Sequence, residues 1–145
     1  MSYLALVRHG QSTYNEKGWW TGWANPPLTE QGISEAQQAG EALKDIHFAL
    51  AYTSVLDRAK QTREEIKKII GQPDMMTTHA EELNERNYGD YTGKNKWEIQ
   101  KQVGDETFLR IRRAWDEPIP NGESLKQVYK REIPYFSSEI ITQIK

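Results

Sequence analysis

Tyr3-Leu4-Ala5-Leu6-Val7 is a short apolar run that stops at Arg8-His9-Gly10. A run of this length bounded by glycine reads as a buried strand over residues 3–8. His9 then stands at the carboxyl end of that strand, the edge where ligands collect in open α/β sheets. The position gives a histidine nucleophile a fixed backbone, a neighbouring cation and room for a substrate. Taken alone, Arg-His-Gly suits a satisfied structural histidine equally well.

Beyond this run the chain alternates strand and helix patterns. Residues 10–28 form a long loop holding Trp19, Trp20 and Trp23, and a loop that long is uncommon without a function. The tryptophans read as packing rather than as a stacking platform. Thr29 is placed to cap a helix over residues 30–45, with Ile33, Ala36, Gly40 and Leu43 on its apolar face. Residues 48–53 read as a second strand. The next helix begins at Ser54 or Asp57, carries Leu56, Ala59, Ile66, Ile69 and Ile70 inward, and stops at Gly71 before Pro73. Residues 75–78 suggest a short third strand, and residues 80–95 a loop. Helices follow over 95–103 and 105–115, then a loop over 116–123. Ser124 and Gln127 have capping-box spacing for a last helix that Pro134 is expected to kink. Strands alternating with helices predict a single α/β layer domain with a parallel sheet.

Composition narrows the partners. Lys and Arg number 19 against 21 Asp and Glu, for a net charge of -2, so a nucleic-acid partner is not expected. The absence of cysteine rules out disulfides and thiolate metal sites and fits a reducing, cytoplasmic setting. The N-terminal run is too short for a signal peptide, and nothing later is long enough to span a membrane.

Phosphoryl transfer needs a nucleophile, cations for the phosphate oxygens, and an acid–base group. His9 offers a ring that is largely neutral near pH 7, given an ordinary pKa of about 6.5, and a nearby arginine favours that form. Arg58 starts the helix after the second strand, so it reaches the same sheet edge, where helix N-termini attract phosphate and arginine grips it bidentately. Glu85 lies in a Gly-rich loop, and a carboxyl beside a phosphate holds its proton more readily, as a general acid requires. His47 and His79 lack such a context. The spacing of Arg112 and Arg113 alone reads as a solvated helix face.

The runs RHGQSTYN (8–15), TGW (21–23), PLTEQG (27–32), YTSVLDRAKQT (52–62), LNERNYGDYTGKNK (83–96) and IRRAWDEPIPNGESL (111–125) resemble the cofactor-dependent phosphoglycerate mutases of the histidine phosphatase superfamily. The likeness covers nearly the whole chain. RHG is shared with many phosphatases, whereas ERNYG, GKNK and RRAW together favour the mutase branch. The resemblance implies a three-layer α/β/α, Rossmann-like sheet. It implies interconversion of 3-phosphoglycerate and 2-phosphoglycerate in glycolysis and gluconeogenesis, primed by 2,3-bisphosphoglycerate and without a metal. His9 would be phosphorylated during turnover and Glu85 would give and take the proton. Arg8, Gly10, Gln11, Ser12, Thr13, Tyr14, Asn15, Thr21, Gly22 and Arg58 would surround the transferring phosphate and the substrate. Arg86, Asn87 and Tyr88 would continue the binding loop. Lys96, Arg112 and Arg113 would hold the remaining anionic groups, which reverses the reading of the arginine pair. The expected partner is a small phosphorylated molecule, with a homo-oligomer among the expected states.

The family also carries a second histidine, in a strand-end motif resembling AAHGNSLR, after the helix that here starts at Ser124. No such motif occurs up to Lys145. The expectation is therefore a chain truncated at its C-terminus, lacking the C-terminal strands of the sheet. Its turnover would be lower by about two to three powers of ten, the effect of losing one oxyanion-type donor. A histidine phosphatase acting on small phosphate esters, and an inactive remnant that only binds anions or partner chains, are the competing readings.

Overall fold

The computed structural model describes residues 2–144. Its regular elements are α1 (Thr13–Glu16), α2 (Glu30–Leu43), β1 (Leu50–Thr53), α3 (Asp57–Ile70), β2 (Met76–His79), α4 (Lys96–Val103), α5 (Asp105–Arg113) and α6 (Leu125–Tyr135). The helix boundaries follow local chemistry. The Thr29 side chain accepts from the Gly32 N–H and starts α2. Gly71 adopts the left-handed conformation, at φ 69°, that ends α3. Ser124 and Gln127 form the reciprocal capping box that opens α6.

β1 and β2 pair in parallel, from Leu50 opposite Met76 to Thr53 opposite His79, with α3 as the connection between them. The fold is thus α/β with a small parallel sheet. The strand expected over residues 3–8 is not formed. These residues join no ladder, and Tyr3, Leu4, Leu6 and Val7 are 70%, 45%, 84% and 45% exposed. The apolar pattern expresses a demand for burial, but a strand also needs a hydrogen-bonded neighbour. None pairs with these residues among those described.

α2 and α3 pack along each other. The buried positions of α2 are Gly32, Ala36 and Gly40, whereas Ile33, expected inside, is 39% exposed. The contact is closer than an aliphatic face permits: a Cβ on Gly40 would lie 2.7 Å from Cβ of Ile69. About two turns nearer the helix start, a Cβ on Gly32 would overlap the carbonyl oxygen of Gln11, and one on Gly10 would overlap the carbonyl oxygen of Gly32. The buried stripe of α3 runs Arg58, Thr62, Ile66, Ile70, polar at one end and apolar at the other. A separate core gathers Trp20, Ile99 and Phe108, with Tyr88, Tyr91, Val103 and Ile111 packed around them. Two of the three loop tryptophans therefore do pack: Trp20 in this core and Trp19 edge-on to Tyr14 at 5.2 Å. Pro134 lies inside α6, which runs on to Tyr135. Proline gives the carbonyl of Lys130 no N–H, and the backbone widens to π geometry over Phe136–Ile140.

The glycine contacts predict unequal costs. Gly32→Ala should lower stability by about 2–3 kcal/mol, because the clash is with backbone. Gly71→Ala meets nothing within 4 Å and should cost only about 1 kcal/mol for its positive φ. Urea unfolding of both variants checks this, and equal midpoint shifts would contradict it.

Candidate active site

Arg58, the second residue of α3, is 1% exposed. A guanidinium that far from water must have its donors satisfied. Nη1 donates to the carbonyl of Ala24 at 2.9 Å and Nη2 to that of Gly22 at 2.8 Å. Nη2 also donates to the Glu85 carboxylate at 2.7 Å, and Nε to Nε2 of His9 at 3.3 Å. One side chain thereby joins His9, the 21–24 loop and the loop after β2.

The partners of His9 assign its tautomer. Nδ1 lies 2.7 Å from the carbonyl oxygen of Gly10 and donates to it, which leaves the Nε2 lone pair facing Arg58. Burial lowers the imidazole pKa below the ordinary 6.5, helped by the charges of Arg58 and Arg8 and opposed by the Gly10 carbonyl and Glu85. The ring is therefore neutral at physiological pH, with its free nitrogen in a long, weak hydrogen bond that an incoming phosphorus can displace. The Gly10 N–H donates to Oγ1 of Thr62 at 3.0 Å, and that hydroxyl donates to the carbonyl of Arg58 at 2.8 Å. His9 is thus keyed to the first two turns of α3, through its side chain to Arg58 and through the next backbone N–H to Thr62.

Glu85 is half-exposed at its carboxylate and fixed at its main chain. Its carbonyl accepts from Nε1 of Trp23 at 2.7 Å and from Nη2 of Arg131 at 3.1 Å. Thr21 and Gly22 are buried, and the Thr21 hydroxyl has no hydrogen-bond partner among the described residues. Such a buried, unpaired hydroxyl suits a ligand oxygen. Gly22 has φ 51°, and a Cβ there would sit 3.0 Å from the Tyr88 nitrogen. Tyr88 stacks on Trp20 at 4.6 Å, and burial followed by the charge of Glu85 pushes its hydroxyl pKa up.

Lys96 opens α4 with its ammonium 5.5 Å from the Trp20 ring centre. Burial lowers its pKa, in the combined field of Glu85, Arg112 and Arg8. Arg112 is exposed and lies over Phe108 at 5.6 Å. Arg8 is exposed and within electrostatic reach of His9 and Lys96. Among the described residues none of these three cations forms a salt bridge. Arg113 is exposed at the end of α5.

Other expected residues are committed to the scaffold. Ser12 and Asn15 form the capping box of α1. The Thr13 N–H donates to the carbonyl of Pro27, and the Gln11 N–H to Glu35 at 2.8 Å. Arg86 is 5% exposed and donates to the carbonyls of Glu123, Ile111 and Glu117 at 2.6, 2.9 and 3.4 Å. The Asn87 side chain accepts from the Gly89 N–H at 2.9 Å, and its main chain pairs with Glu123. Thr62, Gly32, Glu123 and Arg131 are site neighbours that the sequence does not single out, and Trp23, read from sequence as packing, instead donates to the Glu85 carbonyl. Thr62 carries a signal, as a polar residue four positions after Arg58 on a buried stripe. Arg131 acts on distant carbonyls and carries none. Among the described residues no group of three or more His, Asp or Glu side chains could hold a metal ion.

The profile of the histidine phosphatase superfamily (branch 1) matches residues 4–143. The 2,3-bisphosphoglycerate-dependent phosphoglycerate mutase of Parvibaculum lavamentivorans is 46% identical, covering 97% of this chain and 68% of that protein. Its counterpart in Bradyrhizobium diazoefficiens is 47% identical, covering 97% and 69%. The solved structure of Bacillus stearothermophilus YhfR superposes with a TM-score of 0.79 at 29% identity, covering 93% of this chain and 65% of that one. The chain spans about two thirds of the length of the relatives it matches.

The geometry around His9 fixes a pH expectation. Its pKa is lowered, so the neutral ring persists to more acidic solution than in an exposed histidine. A histidine-ring NMR titration should give a midpoint below 6.5, and Arg58→Gln should move it upward. A parent midpoint above 6.5 would contradict the environment described.

Proposed function

Because the chain belongs to the histidine phosphatase superfamily (branch 1), we propose that it is a 2,3-bisphosphoglycerate-dependent phosphoglycerate mutase that interconverts 3-phosphoglycerate and 2-phosphoglycerate. The observation that carries this reading is the Arg58 guanidinium, which holds the Nε2 of His9 and the Glu85 carboxylate at once. Nucleophile, phosphate cation and proton carrier are thereby gathered around one point.

In the proposed reaction Nε2 of His9 attacks phosphorus, the N–P bond forms, and the ester P–O bond breaks. Arg58, held in place by the Gly22 and Ala24 carbonyls, would exchange its contacts with His9 and Glu85 for phosphate oxygens. Glu85 gives a proton to the departing hydroxyl oxygen. On return of the phosphoryl group it takes the proton of the attacking hydroxyl. 2,3-Bisphosphoglycerate supplies the phosphoryl group that primes His9. Its further anionic groups fit the unpaired Lys96, Arg112 and Arg8 and the unpartnered Thr21 hydroxyl. A phosphatase needs one anion pocket and a water, whereas a mutase must also hold a carboxylate and let the substrate turn. The cations beyond Arg58 support the second demand. The reaction belongs to glycolysis and gluconeogenesis, and the reading makes the protein a cytoplasmic enzyme.

Incubation with 2,3-bisphosphoglycerate should place acid-labile phosphate on the protein, and His9→Ala should abolish it. Glu85→Gln should lower isomerisation by roughly 10²- to 10⁴-fold. Lys96→Met should act mainly on KM for phosphoglycerate. Release of phosphate from many esters with no isomerisation would overturn the assignment.

A further inference from the structure

Arg131 lies on α6, 46 residues from Glu85, and is outside every motif considered above. All three nitrogens of its guanidinium are committed. Nε and Nη2 grip the two oxygens of Glu123 at 2.8 and 3.0 Å. Nη1 donates to the carbonyl of Glu82 at 2.7 Å, and Nη2 to that of Glu85 at 3.1 Å. Glu123 completes the clamp from the other side. Its carboxylate accepts from the Asn87 N–H at 2.8 Å, its own N–H donates to the Asn87 carbonyl at 2.9 Å, and its carbonyl accepts from Arg86 at 2.6 Å. The chain is therefore pinned on both sides of Glu85. Trp23 closes the third side, with its indole N–H on the Glu85 carbonyl and its ring 5.9 Å from the Arg131 guanidinium.

We propose that Arg131, with Glu123 as its counter-ion, is the positioning residue for Glu85: it sets the main-chain direction from which the carboxylate reaches Arg58. The proposal rests on the reading of Glu85 as the proton carrier. Both members of the pair are largely buried, at 19% and 16% exposure. A buried ion pair adds little net stability compared with apolar residues of like shape, so its value here lies in direction. The planar guanidinium fork fixes the angles of its hydrogen bonds, which an ammonium cannot do. Burial alone would raise the Glu123 pKa. The hydrogen bonds from Arg131 and the Asn87 N–H, with the charges of Arg131 and Arg86, outweigh it and keep the carboxyl below its ordinary range. The clamp therefore stays charged across the pH range in which the enzyme would work.

The test is a double-mutant cycle with an independent structural readout. Arg131→Met should lower kcat by roughly tenfold to a hundredfold, with KM within about twofold, because proton transfer is misaligned while binding is kept. Arg131→Lys should recover only part of this. In a Glu85→Gln background Arg131→Met should have no further effect on kcat. A full additional loss there, or an unchanged kcat in the single variant, would overturn the proposal. Glu123→Gln offers the same comparison should Arg131→Met fail to fold. If the parent neither isomerises phosphoglycerate nor labels His9, the functional reading fails, and NMR decides the clamp. The Trp23 indole N–H and the Asn87 amide should shift and exchange faster in Arg131→Met. Unmoved resonances would refute the clamp whatever the activity.

Discussion

A single buried charge organises this molecule. The Arg58 guanidinium is out of water, and that is tolerable only because the 21–24 loop, His9 and Glu85 all come to it. None of those three segments has a regular element of its own at the contact. Each is placed by what it must satisfy. Two carbonyls with no helix or sheet to use them find donors in Arg58, and Nε2 of His9, the proposed phosphoryl acceptor, faces the same group. The fold of α3 fixes the reference point. Arg58 sits on a buried stripe that runs on to Ile66 and Ile70, on a helix packed along α2.

From that centre the order spreads through contacts of two kinds. Toward α2 it is steric: Gly10, Gly32 and Gly40 let backbones approach to a distance that any side chain would forbid. Toward α6 it is polar: Arg86, Arg131 and Glu123 stitch carbonyls and carboxylates across otherwise irregular loops. The aromatic core around Trp20 lies between, and it carries Lys96 and Tyr88 on its surface. Two of the proposed substrate cations, Lys96 and Arg112, thus lie over rings of this core.

The residues that could be read from sequence are those whose role is local. Thr29, Gly71 and Ser124 act within a few positions of themselves, so capping rules place them correctly. Arg58 and Glu85 come together as expected, because a helix start and a loop after a strand share one sheet edge. The N-terminal run fails for the opposite reason: pairing is a property of two segments, and periodicity in one cannot supply the other. Ile33 fails because the α2 contact is closer than aliphatic side chains allow, and a stripe of small residues displaces the expected face. Arg86 lies within a recognisable motif yet turns inward to main-chain carbonyls. Arg131 escapes because its targets are carbonyl oxygens, which every residue has.

The meeting of Gly10 and Gly32 has a consequence for how this protein can vary. An overpacked contact between side chains can usually be repaired by shrinking the partner. Here the obstruction is main chain in both directions: a Cβ on Gly10 would meet Gly32, and one on Gly32 would meet Gln11. Shrinking a neighbouring side chain therefore relieves neither contact. The two residues therefore form one inherited unit without internal suppressors, and the backbone beside the proposed phosphoryl acceptor is closed to gradual change from that side.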